Sequence, residues 1–305
     1  MDRHDQMAAY VAILEEGSLA AAARRLRSSP PAVSRALAAL EERLGVRLIR
    51  RTTRRLAATD AGLRYFRTCQ RLLAEIDAAE REAAGEGAAP RGLLRVTAPL
   101  LFGRIYVAPV VTAYVQRFPE ARAELMLIDR VVDLIDEGLD VAVRIGRLPD
   151  SSLLARKVGS VRRVLCASPD YLARRGTPTA LRDLARHEVV AFSGVTSPES
   201  WRFRAPAGPV SVPIRPRLIF NQADPAIAAA LDGLGITRTL SYQVADLVAQ
   251  GRLVLLLEEL EDDPLPVQVV YDQHRLPASK VRAFVDLAVA MLTREMARRL
   301  GAPTR

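Results

Sequence analysis

Four arginines in six residues, Arg50-Arg51-Thr52-Thr53-Arg54-Arg55, put enough positive charge on one short run to neutralise phosphates, and the two hydroxyls between them can donate to the same oxygens. A second polar set lies upstream, in Ser29-Pro30-Pro31-Ala32 with Ser34 and Arg35. At the exposed start of a helix, such residues suit phosphates and base edges of duplex DNA. Ser18, at the head of the preceding segment, belongs with them.

The elements that would position these residues follow from apolar spacing. Met7, Tyr10, Val11 and Leu14 recur at i, i+3, i+4 and i+7, which predicts a helix that Gly17 stops. Ser18 caps a second helix with Leu19, Ala22, Ala23 and Leu26 inside. Ser29 caps a third, with Pro30 and Pro31 in its first turn and Val33, Leu37, Leu40 and Leu44 as its buried stripe up to Gly45. Two short helices joined this tightly form a helix-turn-helix. Val46, Leu48, Ile49 and Leu56 then flank the basic run, which reads as strand, turn and strand, so the expected N-terminal domain (residues 1–58) is a winged helix-turn-helix. The charge is concentrated there. The chain has 44 Lys+Arg against 35 Asp+Glu, a net of +9, and residues 1–58 alone hold 11 arginines against 6 acids.

Thr59 is expected to cap a long linker helix to about Ala84, followed by a hinge to residue 89. Phe66, Cys69, Leu73 and Ile76 step by three and four along it. That seam is narrow for a globular core and suits a partner helix, with Cys69 as a small buried residue. From residue 90 to 305 strands and helices alternate. Leu93–Thr97, Phe102–Phe118, Ala123–Ile128, Val131–Glu137 and Asp140–Ile145 read as βαβαβ, which implies a parallel sheet. Strands at Arg163–Ser168, Val189–Phe192 and Arg217–Phe220 follow, with helices at Pro169–Arg174, Pro225–Asp232 and Ser241–Gln250. A last strand, Val267–Tyr271, and a last helix, Lys280–Arg299, complete the set. The fold class is therefore α+β multidomain, with a C-terminal α/β domain.

Other chemistries are poorly supported. Two cysteines, Cys69 and Cys166, with three histidines and no CxxC give neither a disulfide framework nor a metal site, and no cofactor is expected. No nucleotide, hydrolase or metalloprotease motif occurs, and His187 and His274 lack a patterned partner, so the chain is not expected to be an enzyme. No apolar run is long enough to span a bilayer and Met1–Asp5 lacks a signal-peptide core, so a cytoplasmic protein with no membrane partner is expected, nucleoid-associated when on DNA. A cytoplasmic solute-binding protein is the alternative, since the later two-thirds alone would suit it.

The stretches Gly17–Leu26, Pro31–Arg35, Leu40–Leu48, Arg51–Arg54 and Thr59–Gly62 together resemble the N-terminal signature of LysR-type transcriptional regulators, nearly continuously over about 60 residues. Leu94–Pro99, Phe102–Arg104, Asp140–Gly146, Ala167–Leu172 and Gly233–Ile236 extend the likeness. One departure is Pro30, where the family usually has glutamine. The resemblance implies a homodimer or homotetramer paired through the linker helix, an interrupted palindromic operator, RNA polymerase as a further candidate partner and a small-molecule effector. It also implies that the last strand and helix return to the first of two lobes (about 90–161 with 266–305, against 162–265), a type 2 periplasmic-binding-protein-like arrangement with a cleft. It places Thr97, Ala98, Pro99, Leu100 and Gly103, Arg144 and Gly146, Phe192 and Ser193, and Asn221, Thr237 and Arg238 at that cleft. Hydroxyls at Thr97 and Ser193, unpaired N–H groups at Leu101–Phe102, and Arg144 or Arg238 would then favour a small organic anion.

Overall fold

The computed structural model describes residues 2–51, 56–83, 89–130, 132–134, 136–147, 153–193, 199–206, 208–272 and 279–300. It divides into two compact units, Met1–Gly92 and Leu93–Arg305.

In the first unit three helices form because each begins on a side chain that occupies its orphan amides. Helix α1 (Arg3–Glu16) starts at Asp2, whose carboxylate accepts the Asp5 N–H at 2.8 Å, and ends at Gly17 with φ 69°. Helix α2 (Leu19–Arg25) starts at Ser18, which accepts from Ala21 at 3.1 Å. Helix α3 (Pro30–Leu44) starts at Ser29, which accepts from Ala32 at 3.3 Å. The turn between α2 and α3 passes through Arg27 at φ 50°, a left-handed conformation in a residue with a Cβ. Tyr10, Ile13, Val33, Leu37, Leu40 and Leu48 fill the core between the helices.

Strands β1 (Ile49–Arg51) and β2 (Leu56–Ala58) pair antiparallel, with Ile49 opposite Ala58. Glu41 ties them to α3. It is 7% exposed, and one of its oxygens accepts the backbone N–H groups of Leu48 at 2.8 Å and Ile49 at 3.1 Å while the other meets Arg47 at 3.0 Å. A carboxylate that takes two amides and a guanidinium is fully used, which is what makes its burial tolerable.

Helix α4 (Asp60–Ala83) is capped by Thr59, whose hydroxyl accepts from Gly62 at 2.9 Å. Its seam differs from the expectation. Cys69 is fully buried in the core of its own unit, Phe66 meets Tyr10 edge-on at 6.4 Å, and Leu73 is half-buried against the same core. The stripe is narrow, yet the small Cys69 lets α4 approach α1 closely enough for self-packing. Of the four seam residues only Ile76 is exposed, at 37%, joined by Leu63 at 48%. Residues 84–88, most of the expected hinge, lie outside the described residues.

The second unit contains two five-stranded sheets. The first comprises β3 (Gly92–Ala98), β4 (Ala121–Leu127), β5 (Val141–Ile145), β6 (Leu153–Val161) and β14 (Leu265–Asp272), in the order β4-β3-β5-β14-β6. The second comprises β7 (Arg163–Ala167), β8 (Val189–Phe192), β11 (Pro216–Phe220), β12 (Ile236–Leu240) and β13 (Val254–Leu256), in the order β11-β8-β12-β7-β13. Between β8 and β11 a hairpin of β9 (Ser200–Ala205) and β10 (Gly208–Pro213) lays Trp201 and Phe203 on the second sheet.

Helix α5 (Leu100–Phe102) runs through a π-turn at Gly103–Val107 into α6 (Ala108–Arg117). The remaining helices are α7 (Pro169–Arg175), α8 (Ala223–Leu231), α9 (Ser241–Ala249) and α10 (Ser279–Leu300).

The parallel direction expected of βαβαβ is seen between β3 and β5, while β14, from the far end of the chain, returns antiparallel to both β5 and β6 and makes the sheet mixed. Residues 134 and 136–138 form turns, and 132–133 are irregular, rather than the expected helix, with Asp133 accepting from the Asp136 amide at 3.0 Å. Helix α10 is anchored to the first sheet by Lys280, whose ammonium donates to the Leu93 carbonyl at 2.7 Å and to Asp140 at 3.2 Å.

At Gly62 an added Cβ would lie 2.1 Å from the Leu48 carbonyl oxygen and 2.9 Å from the Tyr10 hydroxyl, which itself donates to the Gly62 carbonyl at 2.8 Å. Backbone cannot yield as a flexible side chain does. Gly62→Ala is therefore expected to destabilise the chain by about 1–3 kcal/mol, read as a lower midpoint in urea unfolding. An unchanged midpoint would show that α4 shifts freely against the Leu48 backbone.

Candidate functional site

The leading turn of α3 presents Ser29, Pro30, Pro31 and Arg35 as exposed residues, with Ala32 and Ser34 half-buried. Its chemistry is restricted. Pro30 and Pro31 have no N–H, and the Ala32 N–H is already bonded to Ser29. Most of the anion-binding capacity of a free helix N-terminus is thus absent, and phosphate attraction passes to side chains. Arg35 is the charged one, and it pairs with no carboxylate among the described residues.

The other arginines of α2 and α3 are partly engaged. Arg25 pairs with Glu15 and with Glu16, and Arg43 donates to Gln6 at 3.2 Å. Ser18 is half-buried and acts as a cap, an architectural part. In the wing, Arg50 is exposed on β1 opposite Ala57. Thr52, Thr53 and Arg54, and the side chain of Arg51, lie outside the described residues. Sequence reasoning counted Glu41 only as a negative charge. Its position four residues after the buried Leu37, on the same face of the helix, was the signal that it faces inward.

In the second unit a cavity of about 530 Å³ opens between the two sheets. Pro99, Asp129, Ile145, Gly146 and Arg147 line it from strand ends of the first sheet, and Arg163, Phe192, Arg202, Leu240, Tyr242 and Gln243 from the second sheet and its hairpin. Asp262, Asp263, Pro264 and Leu265 cross between them. Tyr242 is buried and stacks edge-on against Phe102 at 5.2 Å, and Gln243 accepts the Leu240 N–H at 2.9 Å, so its amide is held in place.

Of the residues expected here, Pro99, Gly146 and Phe192 line the cavity. The others do not. Thr97 and Ala98 are 2% exposed within the first sheet. The Leu100 amide donates to Asp129 at 2.9 Å, so the helix start already holds a carboxylate of its own chain. Gly103 serves close packing, because a Cβ there would meet Leu127 at 2.2 Å and Ala98 at 3.1 Å.

Arg144 turns its guanidinium to the Val132 carbonyl rather than to Asp140, which pairs with Lys280; burial lowers the Arg144 pKa. Ser193 is exposed and donates to the Phe220 carbonyl at 3.2 Å, and Asn221 is exposed without lining the cavity. Thr237 is fully buried beside β7 and β8. Arg238 is 2% exposed, stacked 4.8 Å from the centre of the Phe203 ring and donating to the Arg202 carbonyl. Burial, with the like charge of Arg163 second, lowers its pKa to about 10.

The basic groups that do line the cavity were missed. Arg163 is 22% exposed, and its pKa is lowered by burial first and by the like charge of Arg202 last, with Asp262 opposing. Arg163 begins a correctly read strand, so period-2 counting from Val164 would have put it on the opposite face from Val164. Arg202 sits on the hairpin that polar, irregular residues concealed. Cys166 is fully buried with its thiol pushed up to about 12 by desolvation, and the His187 Nδ1 lies within hydrogen-bonding distance of the Tyr171 hydroxyl at 3.0 Å, so both have structural settings.

Known proteins match both units. Residues 4–63 match the family model for bacterial regulatory helix-turn-helix proteins of the lysR family, and residues 87–293 match the LysR substrate binding domain. The chain is 34% identical over 290 residues to the HTH-type transcriptional regulator CrgA of Neisseria meningitidis serogroup C, covering 94% of this chain and 96% of that one. It is 36% identical to the HTH-type transcriptional regulator PtxR of Pseudomonas aeruginosa, covering 94% and 92%. The solved structure of CrgA, a LysR-type transcriptional regulator from Neisseria meningitidis, superposes with a TM-score of 0.61 at 33% identity, covering 96% and 99%. Full-length AphB, the Vibrio cholerae virulence activator, matches with a TM-score of 0.60 at 28% identity over 95% and 99%. A solute-binding protein without gene regulation is not favoured, because the helix-turn-helix match accompanies the substrate-binding one. The chain, a DNA-binding regulator rather than an enzyme, belongs to the LysR family of bacterial transcriptional regulators.

Proposed function

We propose that this regulator grips duplex DNA with the leading turn of α3 and the wing, pairs with a second copy through α4, and changes its hold on DNA when a small organic anion enters the cavity between the two sheets. The carrying observation is the cavity's pair of arginines. Arg163 and Arg202 both line it, the like charge of Arg202 adds to burial in disfavouring the charge of Arg163, and Arg202 has no carboxylate partner among the described residues. A carboxylate between them relieves that repulsion and accepts from both guanidiniums. Phe192 and Tyr242 supply apolar wall and Gln243 a fixed amide, a mixture suited to a small organic acid.

On DNA, Ser34 and Arg35 serve phosphates, Ser29 and the Pro30–Pro31 turn set how closely α3 approaches, and Arg50 to Arg54 of the wing add sequence-tolerant affinity. Two copies related by a two-fold axis read an interrupted palindrome, the homodimer being the unit and a homotetramer its doubling. The protein works in the cytoplasm, on the nucleoid when bound, and RNA polymerase at a neighbouring promoter is a further partner.

Each part has its own measurement. Arg35→Ala is expected to weaken binding to all duplex sequences and lower the slope of log K against log salt by about one. A loss of preference at a single base pair, with the slope intact, would make Arg35 a base reader instead. Ile76→Glu is expected to split the pair by placing a charge in the seam at several kcal/mol, seen as a smaller species in sedimentation. Retention of the native mass would move dimerisation to another surface. For the cavity, a small carboxylate at about 100 times its Kd is expected to stabilise the wild type by about 2.7 kcal/mol, and the double variant Arg163→Gln, Arg202→Gln to lose that gain. Stabilisation by neutral or cationic compounds alone would reassign the ligand class.

A further inference from the structure

The chain passes from β13 to β14 through Glu258, Glu259, Glu261, Asp262 and Asp263, the densest acidic run in a basic protein. Arginines around the cavity hold it. Arg162 binds Glu261 at 3.0 and 3.1 Å and Glu258 at 3.3 Å, and Arg204 binds Asp263 at 2.7 Å, with Arg147 3.9 Å from Asp263. Asp262 faces inward, 3.6 Å from Arg163, and both side chains are about one-fifth exposed. That separation is too long for a hydrogen bond, so the pair is held by charge alone.

We infer that Asp262 is an internal stand-in for the effector, a carboxylate that pairs with Arg163 within the cavity and must be displaced when an anion binds. The inference rests on the reading of this cavity as the effector site. An incoming carboxylate has two advantages over Asp262. It can reach hydrogen-bonding distance of Arg163 with both oxygens, and it can meet Arg202 at the same time. It also carries the charge that Asp262 already supplies, so the two repel until Asp262 turns toward water. Glu261 and Asp263 remain bound on either side, so that displacement strains the one acidic segment joining the sheets. Asp262 therefore sets both the threshold concentration of effector and the mechanical link from ligand to sheet arrangement.

The test is calorimetric titration of the full-length protein with succinate and, separately, inorganic phosphate at constant ionic strength. Asp262→Asn keeps the side-chain shape, removes the competing charge, and is expected to tighten at least one probe by about three- to ten-fold. Glu259→Gln alters net charge equally at an exposed position of the same segment that does not line the cavity, and is expected to change affinity less than about two-fold. Unchanged or weaker binding in Asp262→Asn, equal tightening in Glu259→Gln, or no binding of either probe to Asp262→Asn would each overturn the stand-in role. A separate outcome bears on the cavity itself. If Arg163→Gln binds the probes as the wild type does, the anion sits elsewhere and both readings fall, whereas loss in Arg163→Gln without gain in Asp262→Asn removes only the role of Asp262.

Discussion

The backbone of the effector-binding unit moves between its two sheets twice, once between β6 and β7 and once between β13 and β14. Most of what the unit can do follows from those passages. Each sheet has apolar packing of its own, with Leu240 and Tyr242 reaching from the second side into the core of the first, and the space between them is lined largely by strand ends, where side chains leave the ladders and polar groups can face a ligand. The first passage delivers Arg162 and Arg163 and the second delivers Glu258 to Asp263, which brings opposite charges to the same boundary. Attraction across that boundary competes with the hydration of a ligand-sized void, and the arginines end paired with chain carboxylates wherever these can reach.

The same economy explains the corrections to the sequence reading. A helix start was expected to offer free amides, but Asp129 ends its strand within reach of the Leu100 N–H and takes it. The family resemblance put Arg144 and Arg238 at the cleft, where either would offer its charge to a ligand. Arg144 instead reaches a carbonyl of a turn, and Arg238 lies flat on Phe203, where a planar guanidinium gains from the ring what it loses in hydration. Neither outcome is visible in composition, since both depend on a partner distant in sequence.

What was legible followed from local rules. The caps Ser18, Ser29 and Thr59, the stops Gly17 and Gly45, and the apolar stripes of α1 to α3 each act within four residues, and the helices begin and end where these signals put them. Strands β3, β5, β7 and β8 were readable as apolar runs. Strands β6 and β9 to β10 were not, because β6 leaves the adjacent Arg156 and Lys157 exposed and one face of β9 carries Arg202 and Arg204 in the open, which breaks the apolar signal. In α4 the stripe read from spacing is present, but Phe66, Cys69 and Leu73 pack it on the core of their own unit, a contact with Tyr10 of α1 that spacing alone does not reveal, while Ile76 stays exposed.

Glu41 carries a consequence for how DNA is read. By bonding the amides of Leu48 and Ile49 from within α3, it ties that helix to the base of the wing. In the DNA-binding mode proposed above, the two then act as a single rigid caliper rather than two hinged fingers, and a caliper of set span measures the duplex it closes on. Sequences whose groove width already matches that span would be gripped without distortion, while stiffer or wider ones would first be bent to fit, at an energy that depends on base steps the protein never touches. With Pro30 and Pro31 limiting the backbone contacts at the tip of α3, discrimination in that mode shifts from the chemistry of individual bases toward the mechanics of the helix that carries them.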